Sequence, residues 1–491
     1  MNKTSFLDIM RALSKEELKR FEAFLNSPYF NTRNNVVNLF SSIKKYAPEF
    51  THKMLDKEEV WKKLFPGKKY NYGILKNIIY DITKLAERFL EVEDLNYNEM
   101  QRMQNLLNKL GEKHLENIFL NKYNTFEKNF LKSSKFYDNY FRDYAELKVH
   151  RFTVQAYNPN HYSKLISTHI SELLIFDFIV KFCNNFNNVY IEEAEHNQSS
   201  STEFIRLFSK TIFIDKTLEE YFNKMNAGSD RNFKISIIFF RMIKCYMNPE
   251  STELYFEFKK TLFENDKYIS EAALRGLYAC LGSTLDNCKD LSKINKNREL
   301  FELICHLNEK NIFLSAAGKV IPSLYLLAVK TAGALKETAF IEKMISEFLP
   351  CINPDLLNNF TIFSRTFLYF SKNEFDKSME FSNKLSIDSF QMKYILKNLQ
   401  IIISFEKDDF IMFQYLSDAH KHFLSNNKSV SSSYKESNMK FLNYTNSLFK
   451  LRESKNKTEI GFTERKIHED TFVNKQWLIE KLAEIRLTIN N

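Results

Sequence analysis

Three short stretches in the C-terminal third of the chain recur at a spacing of 35 residues. They are LKETAF at 335–340, FSKNEF at 370–375 and FEKDDF at 405–410, and they end in Phe340, Phe375 and Phe410. In each case an apolar segment precedes the polar stretch, and an amphipathic segment follows it. A period of this length is typical of helix-pair repeats, in which each pair buries its apolar face against the next. The recurrence predicts an all-α fold, with the three rings at the turns within successive pairs.

Over residues 320–452 this pattern resembles the tetratricopeptide repeat, whose two helices are joined by a short polar turn. The small residue that the family has early in its second helix is present as Ser378, but Lys343 and Phe413 stand at the aligned positions. The glycine of the family's first helix is absent, and the aligned residues are Thr331, Thr366 and Ile401. The resemblance implies degenerate, tetratricopeptide-like helix pairs that stack into an α-solenoid.

The scarcity of glycine (9) and proline (8) in 491 residues supports the same fold class. Sheet-rich proteins need many turns, and turns draw on these two residues. The chain contains 47 phenylalanines and 24 tyrosines, so we expect a core built largely from rings.

The pattern along the chain predicts a basic helical head, long amphipathic helices, a tetratricopeptide-like solenoid, and a polar linker with a C-terminal capping helix. These segments are residues 1–95, 96–195, 203–452 and 453–491, with a hinge expected in EHNQSSST at 195–202.

Most of the net positive charge lies in the head. The whole chain has a formal net charge of +9, and residues 1–90 hold 17 Lys+Arg and 10 Asp+Glu, a difference of +7. Positive charge concentrated in one segment indicates an anionic partner, which is either nucleic acid or an acidic protein surface. The alternative is a solvated, lysine-rich surface with no partner.

Residues 56–90 contain a helix, a Pro/Gly break and a second helix. They resemble the helix-turn-helix of regulators that attach a winged helix to a helical-repeat domain. The resemblance makes residues 73–86 a recognition helix, whose candidate DNA contacts are Lys76, Asn77, Tyr80 and Lys84. The stretch after this helix lacks the alternation of a wing hairpin. A structural helical bundle is therefore the alternative.

The break itself, FPGKKYNY at 65–72, interleaves aromatic and basic residues. Such a pattern can stack on and clamp single-stranded nucleic acid, which makes Lys68 and Lys69 candidate contacts. The competing interpretation is a loop that closes over the core with its rings buried.

The sequence contains no phosphate-binding glycine loop, no H-E-x-x-H motif and no G-x-S-x-G motif. His420 and His422 are two residues apart, so on a helix they point in different directions and do not share a metal. The six cysteines include no C-x-x-C pair and indicate buried thiols in a reducing compartment. We expect a cytoplasmic, non-enzymatic protein with no cofactor, metal or membrane contact.

Four further segments occur in this order along the chain: LSKEELKRFEAFLNSPYFN, VWKKLFPGKKYN, LGSTLDNCKDLSKINKN and KQWLIEKL. Together they resemble a family of uncharacterised all-helical proteins from Bacteroidota-type bacteria. That resemblance implies a helical-repeat body, and it implies no biochemical activity for this chain.

From the sequence we therefore expect an interaction scaffold or adaptor that presents a groove to a protein or peptide partner. The alternative is a DNA-binding transcriptional regulator with a helix-turn-helix-like head and a helical-repeat sensor domain.

Overall fold

The computed structural model describes residue 1 and residues 3–157, 166–196, 203–213, 216–226, 230–248, 251–287, 294–315, 318–385, 390–427 and 432–490. Over these residues the chain forms 24 α-helices and no β-strand, which confirms the predicted all-α class. Residues 197–202 of the predicted hinge lie outside the described residues.

The first nine helices are α1 Ser5–Ala12, α2 Lys15–Leu25, α3 Asn34–Ile43, α4 Lys57–Leu64, α5 Tyr72–Tyr97, α6 Glu99–Glu112, α7 Glu116–Ser133, α8 Tyr140–Tyr157 and α9 Ile166–His196. The next eight are α10 Glu203–Phe213, α11 Lys216–Asn226, α12 Arg231–Met247, α13 Thr252–Asn265, α14 Glu271–Asn287, α15 Lys296–Glu309, α16 Pro322–Ala334 and α17 Thr338–Lys343. The last seven are α18 Pro354–Ser371, α19 Phe375–Ser382, α20 Phe390–Glu406, α21 Phe410–Asn426, α22 Ser432–Ser454, α23 Lys457–Glu469 and α24 Lys475–Asn490.

The chain divides into two compact units. The N-terminal unit comprises Met1–Lys132 and Glu146–Ile166, and the C-terminal unit comprises Ser133–Ala145 and Ser167–Asn491. The division falls inside the segment 96–195, which the sequence had suggested as one set of helices. The reason is packing: α6 contacts α5 of the N-terminal unit. By contrast, α9 packs on α12, where the Cys183 thiol donates to the Phe239 carbonyl at 3.3 Å.

The N-terminal unit is built around aromatic rings, as its composition predicts. The Phe21 ring lies 5.1 Å from that of Phe40 and 5.3 Å from that of Phe89, between centroids, so α2, α3 and α5 meet at one point. The start of α2 follows from a capping box, in which Ser14 and Glu17 each accept from the other's backbone amide. Residues 87–105, where a winged helix would place its hairpin, belong to α5 and α6 except for Asn98.

The C-terminal unit stacks its helices in a regular order. From α11 to α24, each helix packs against the next one in the chain. Even-numbered helices also contact one another, in the pairs α10–α12, α12–α14, α16–α18, α18–α20, α20–α22 and α22–α24. Contacts between every second helix are typical of such an array, and here they form two rows, from α10 to α14 and from α16 to α24.

Three turns of this unit repeat one hydrogen-bond pattern. Backbone in the left-handed region occurs at Lys336 after α16, at Asn373 after α18 and at Asp408 after α20, with φ of 59°, 59° and 56°. In each turn the following amide donates to the carbonyl five residues back, at 2.8, 2.9 and 2.9 Å. This is the Schellman motif, which satisfies carbonyls left unpaired at a helix end.

The three turns correct the register of the first predicted repeat. Phe375 and Phe410 follow the left-handed residue by two positions and begin α19 and α21. In the first of the three turns, Thr338 holds that position and begins α17, and Phe340 lies two residues beyond it. The three left-handed residues are 37 and then 35 residues apart. The position of each turn is set by the hydrogen bonds at the helix end, and the nearest phenylalanine does not determine it.

The predicted polar linker after residue 453 is wrong in one respect, because Lys457–Glu469 forms α23. The Asn456 side chain accepts from the Thr458 amide at 3.1 Å and so caps the helix. Ile460 and Ile467 are buried against neighbouring helices. Two apolar residues seven apart are too sparse a signal in a polar stretch, so this helix depends on tertiary packing. The final helix, α24, packs on α22 and α23.

Candidate functional site

A short loop in the N-terminal unit connects α4 to α5 and carries exposed basic and aromatic residues. The Trp61 indole N–H donates to the Lys68 carbonyl at 3.0 Å and ties the loop to α4. Gly67 turns the chain with φ of 75°, a conformation that suits glycine. Asn71 then accepts from the Ile74 amide at 3.1 Å and starts α5. These three devices hold the loop and the first turns of α5 in place.

All six predicted nucleic-acid contacts are solvent-exposed. Lys68 and Lys69 lie in the loop, immediately before α5. The other four, Lys76, Asn77, Tyr80 and Lys84, lie on α5. Successive helical residues are about 100° apart, so these four occupy one face, opposite the buried positions of α5. The structure therefore brings the predicted contacts onto adjoining parts of one surface.

The lysines of the loop and of the first turns of α5 differ from Lys62 of α4, which pairs with Glu59 at 2.6 Å. Among the described residues, no Asp or Glu forms an ion pair with Lys68, Lys69 or Lys76. The Lys57 ammonium rests 4.6 Å from the ring centroid of Tyr72. Lys63 donates to the Tyr46 hydroxyl at 3.1 Å, and this bond lowers the pKa of Tyr46. These two lysines therefore contact rings, and a cation over an aromatic face is attracted to it and keeps its charge.

Further along α5 the charge pattern changes. Lys84 pairs with Glu87 at 2.6 Å, and this bond raises the pKa of Lys84. Exposed Glu91 pairs in turn with Arg88. The positive surface is therefore confined to the loop and the first turns of α5.

The aromatic rings of the loop and of the start of α5 are mostly exposed, whereas the alternative of a loop that closes over the core required them to be buried. Tyr70, Tyr72 and Tyr80 are exposed by 37%, 48% and 61%. Phe65 is partly buried against Trp61, and the edge of the Tyr70 ring also contacts Trp61, at 6.0 Å between centroids. Tyr70 and Tyr72 flank Asn71, the N-cap of α5. We define the basic aromatic surface as Lys57, Lys68, Lys69, Tyr70, Tyr72, Lys76 and Tyr80.

A second candidate surface lies in the C-terminal unit on α9 and α10. Helix α9 buries Phe176, Ile179 and Val180 on one side, yet its other side is also apolar. The exposed apolar residues, 40–77% accessible, are Leu174, Ile175, Phe178, Phe204 and Leu207. The Phe208 ring joins the two helices, 6.0 Å from Phe178 and 6.2 Å from Phe204 between centroids. The five exposed residues form what we call the α9–α10 apolar surface, and no sequence motif marks it.

The buried charged groups form structural ion pairs. Arg241 and Lys244 of α12 are buried, and Lys244 pairs with Glu219 of α11 at 2.8 Å. Arg241 pairs with Glu257 of α13 and lies 3.8 Å from Glu219. Each cation is therefore matched by a carboxylate of a neighbouring helix. Paired groups of this kind join helices, and no unpaired base or nucleophile is left in the cluster.

The described histidines and cysteines do not converge on one site. His420 is fully buried beside Tyr394 and Asn438, and burial lowers its pKa to about 4, whereas His422 is exposed. Burial raises the pKa of the Cys183 and Cys280 thiols, which disfavours the thiolate that a nucleophile requires. In the described part of the chain, no three His, Cys, Asp or Glu side chains converge as metal ligands would.

The repeat-turn rings are less buried than packing residues of a core. Phe340 and Phe375 are half-buried, and Phe410 is exposed by 37%. The small residue of that repeat has a clearer role, because the fully buried Ser378 hydroxyl donates to the Thr366 carbonyl at 2.8 Å. In the corrected register its equivalents are Ile341 and Phe413, both buried.

The chain has no significant match among protein-family models, among curated proteins or among solved structures. None of the described helices is both long enough and apolar enough to cross a membrane.

Proposed function

We propose that this protein is a non-enzymatic interaction protein whose C-terminal unit is a tetratricopeptide-like α-solenoid. The two rows of contacts between even-numbered helices support the solenoid. So do the three Schellman turns, because they end the first helix of successive pairs in the same way. Arrays of this kind expose long helical surfaces and act by shape and charge complementarity.

The partner binds the α9–α10 apolar surface, and the apolar character of that surface is the observation that carries the proposal. Proteins that work alone rarely expose a continuous apolar patch, because burying it is favourable. Here the patch consists of aliphatic and aromatic side chains at helical spacing on two helices. Such a surface fits a protein segment with an apolar face, such as an amphipathic helix.

The test compares two double variants of the full-length protein. In Ile175→Glu/Leu207→Glu the charges lie on the proposed surface. In the matched control, Ile118→Glu/Leu487→Glu, one exposed isoleucine and one exposed leucine change elsewhere. Each protein is used as bait in extract of the source organism, and retained proteins are identified by mass spectrometry after circular dichroism has verified the fold. The proposal requires partners that bind the wild type and the control but not the surface variant. Identical partners for both variants would rule it out.

A DNA-binding regulator is the second candidate, because Lys76, Asn77, Tyr80 and Lys84 share one exposed face of α5. Binding of duplex DNA that weakens with salt and is lost in Lys76→Ala would support this function. The absence of duplex binding at low salt would remove it.

A further inference from the structure

The basic aromatic surface combines two properties on adjacent positions. Its lysines have no carboxylate partners among the described residues, and its three tyrosines turn a substantial part of each ring to solvent. The Tyr72 ring lies 4.6 Å from the Lys57 ammonium, and the Tyr80 ring lies 5.9 Å from that of Lys84, so each of these exposed rings stands beside a positive charge. A lysine-rich surface repels cations and attracts polyanions. A ligand that matches both properties must carry repeated negative charge and flat, apolar groups.

From this combination we infer that the basic aromatic surface binds single-stranded nucleic acid. The lysines of the loop and of α5 contact phosphates, and the rings of Tyr70, Tyr72 and Tyr80 stack on bases. Stacking of this kind is largely independent of sequence, since every base has an aromatic face. The inference is independent of the proposed protein partner, which binds a different unit.

The geometry favours a single strand over a duplex. In a duplex the base faces are covered by stacking, so exposed tyrosines have no face to contact. A helix lying along the major groove would also bring the distal part of the α5 face against phosphates, and that part carries Glu87 and Glu91. The positive region is short: Tyr72 and Tyr80 are eight residues apart, about 12 Å along the helix axis. That length suits a few unstacked nucleotides.

An acidic protein is the other class of partner that a basic surface attracts. Such a partner would be bound through ion pairs with the lysines and would leave the tyrosines without a specific role. The two classes are therefore separated by the contribution of the rings.

The experiment measures fluorescence anisotropy of labelled oligo(dT) and oligo(U) of about 20 nucleotides with the full-length protein, at about 50 mM salt. The charge variant is Lys68→Glu/Lys69→Glu, and its control is Lys15→Glu/Lys19→Glu, with the same charge change on exposed lysines of α2. The ring variant is Tyr72→Ala/Tyr80→Ala. Its control is Tyr97→Ala, an exposed tyrosine about 25 Å from Tyr80 along α5.

We expect each surface variant to weaken binding about tenfold or more and each control to bind like the wild type. The variant Tyr72→Phe/Tyr80→Phe keeps the rings and should restore most of the affinity. With three lysines on phosphates, the slope of log affinity against log salt should be about −2. Tighter binding of oligo(U) than of oligo(dT) would identify RNA as the preferred strand, and the reverse would identify DNA.

Three results would overturn the inference. The first is equal affinity for a duplex of the same length, with no effect of the ring variant. The second is binding of poly-glutamate or of vesicles containing phosphatidylserine in place of the oligonucleotides. The third is no binding of either oligonucleotide at this salt concentration.

Discussion

The Lys336 ammonium donates a hydrogen bond of 2.7 Å to the side-chain oxygen of Asn373, and each of these residues is the left-handed residue of its own turn. Further ion pairs in this region join Lys372 to Glu342 at 2.7 Å, Lys407 to Asp376 at 2.5 Å and Arg452 to Asp408 at 2.9 Å. Side chains thus join neighbouring turns in addition to the apolar packing of the helices. Exposed ion pairs of this kind each contribute little to the free energy of unfolding.

The turn at Asn373 gives a first prediction. Asn373→Ala should lower the free energy of unfolding by about 1 kcal/mol, because alanine is disfavoured at a φ of 59°. Asn373→Gly should be closer to the wild type, since glycine adopts this conformation without steric cost. Urea denaturation followed by circular dichroism measures both. A glycine variant less stable than the alanine variant would contradict the role of the left-handed turn.

The ring at Phe375 gives a second prediction. Because Phe375 is half-buried, Phe375→Ala should cost about 1–2 kcal/mol and not the 3–5 kcal/mol typical of a buried ring. Phe405 is fully buried one repeat later, with the Phe449 ring 4.9 Å away, so Phe405→Ala should cost about 3–5 kcal/mol. Urea midpoints for the two variants test the difference. Equal losses would mean that the turn ring matters more than its burial indicates.

His420 makes stability depend on pH. Burial, assisted by the nearby Lys397, lowers its pKa from 6.5 to about 4. The unfolded chain therefore binds a proton more readily than the folded chain between these values. Stability attributable to His420 is complete above about pH 6.5 and is lost as the pH falls towards 4, by roughly 3 kcal/mol.

The dependence on His420 is measured as the melting temperature at a series of pH values between 7 and 4, because this range spans both pKa values of His420. His420→Leu removes the titrating group and should flatten the curve in this range. His422→Leu, at an exposed position two residues away, is the control and should leave the curve unchanged. A leucine variant at 420 with the wild-type slope would show that other groups cause the dependence.

Glu219 gives a fourth prediction, on the buried ion-pair cluster. Glu219→Ala should cost about 3–5 kcal/mol, because it leaves the buried Lys244 ammonium without the carboxylate that it contacts at 2.8 Å. Glu464→Ala removes an exposed partner of Arg486 at 3.2 Å and should cost less than about 1 kcal/mol. Chemical denaturation compares the two. Similar small losses would mean that water reaches Lys244 and compensates its charge.

Local sequence determined several features without reference to the rest of the chain. The capping box at Ser14 and Glu17 starts α2 through two residues three positions apart. The scarcity of glycine and proline indicated the all-α class, and the spacing along α5 placed Lys76 and Tyr80 on one exposed face. These features depend on hydrogen bonds and periodicities that span a few residues, so they can be read from the chain directly.

Other features were decided only by tertiary packing. Phe340, Phe375 and Phe410 look equivalent in the sequence, yet Thr338 takes the structural position of the first, because the Schellman hydrogen bonds after α16 set the register. Helix α23 exists because Ile460 and Ile467 find neighbours on α22 and α24. Burial depends on which surfaces meet across the fold, and a residue's own neighbours in sequence do not contain that information.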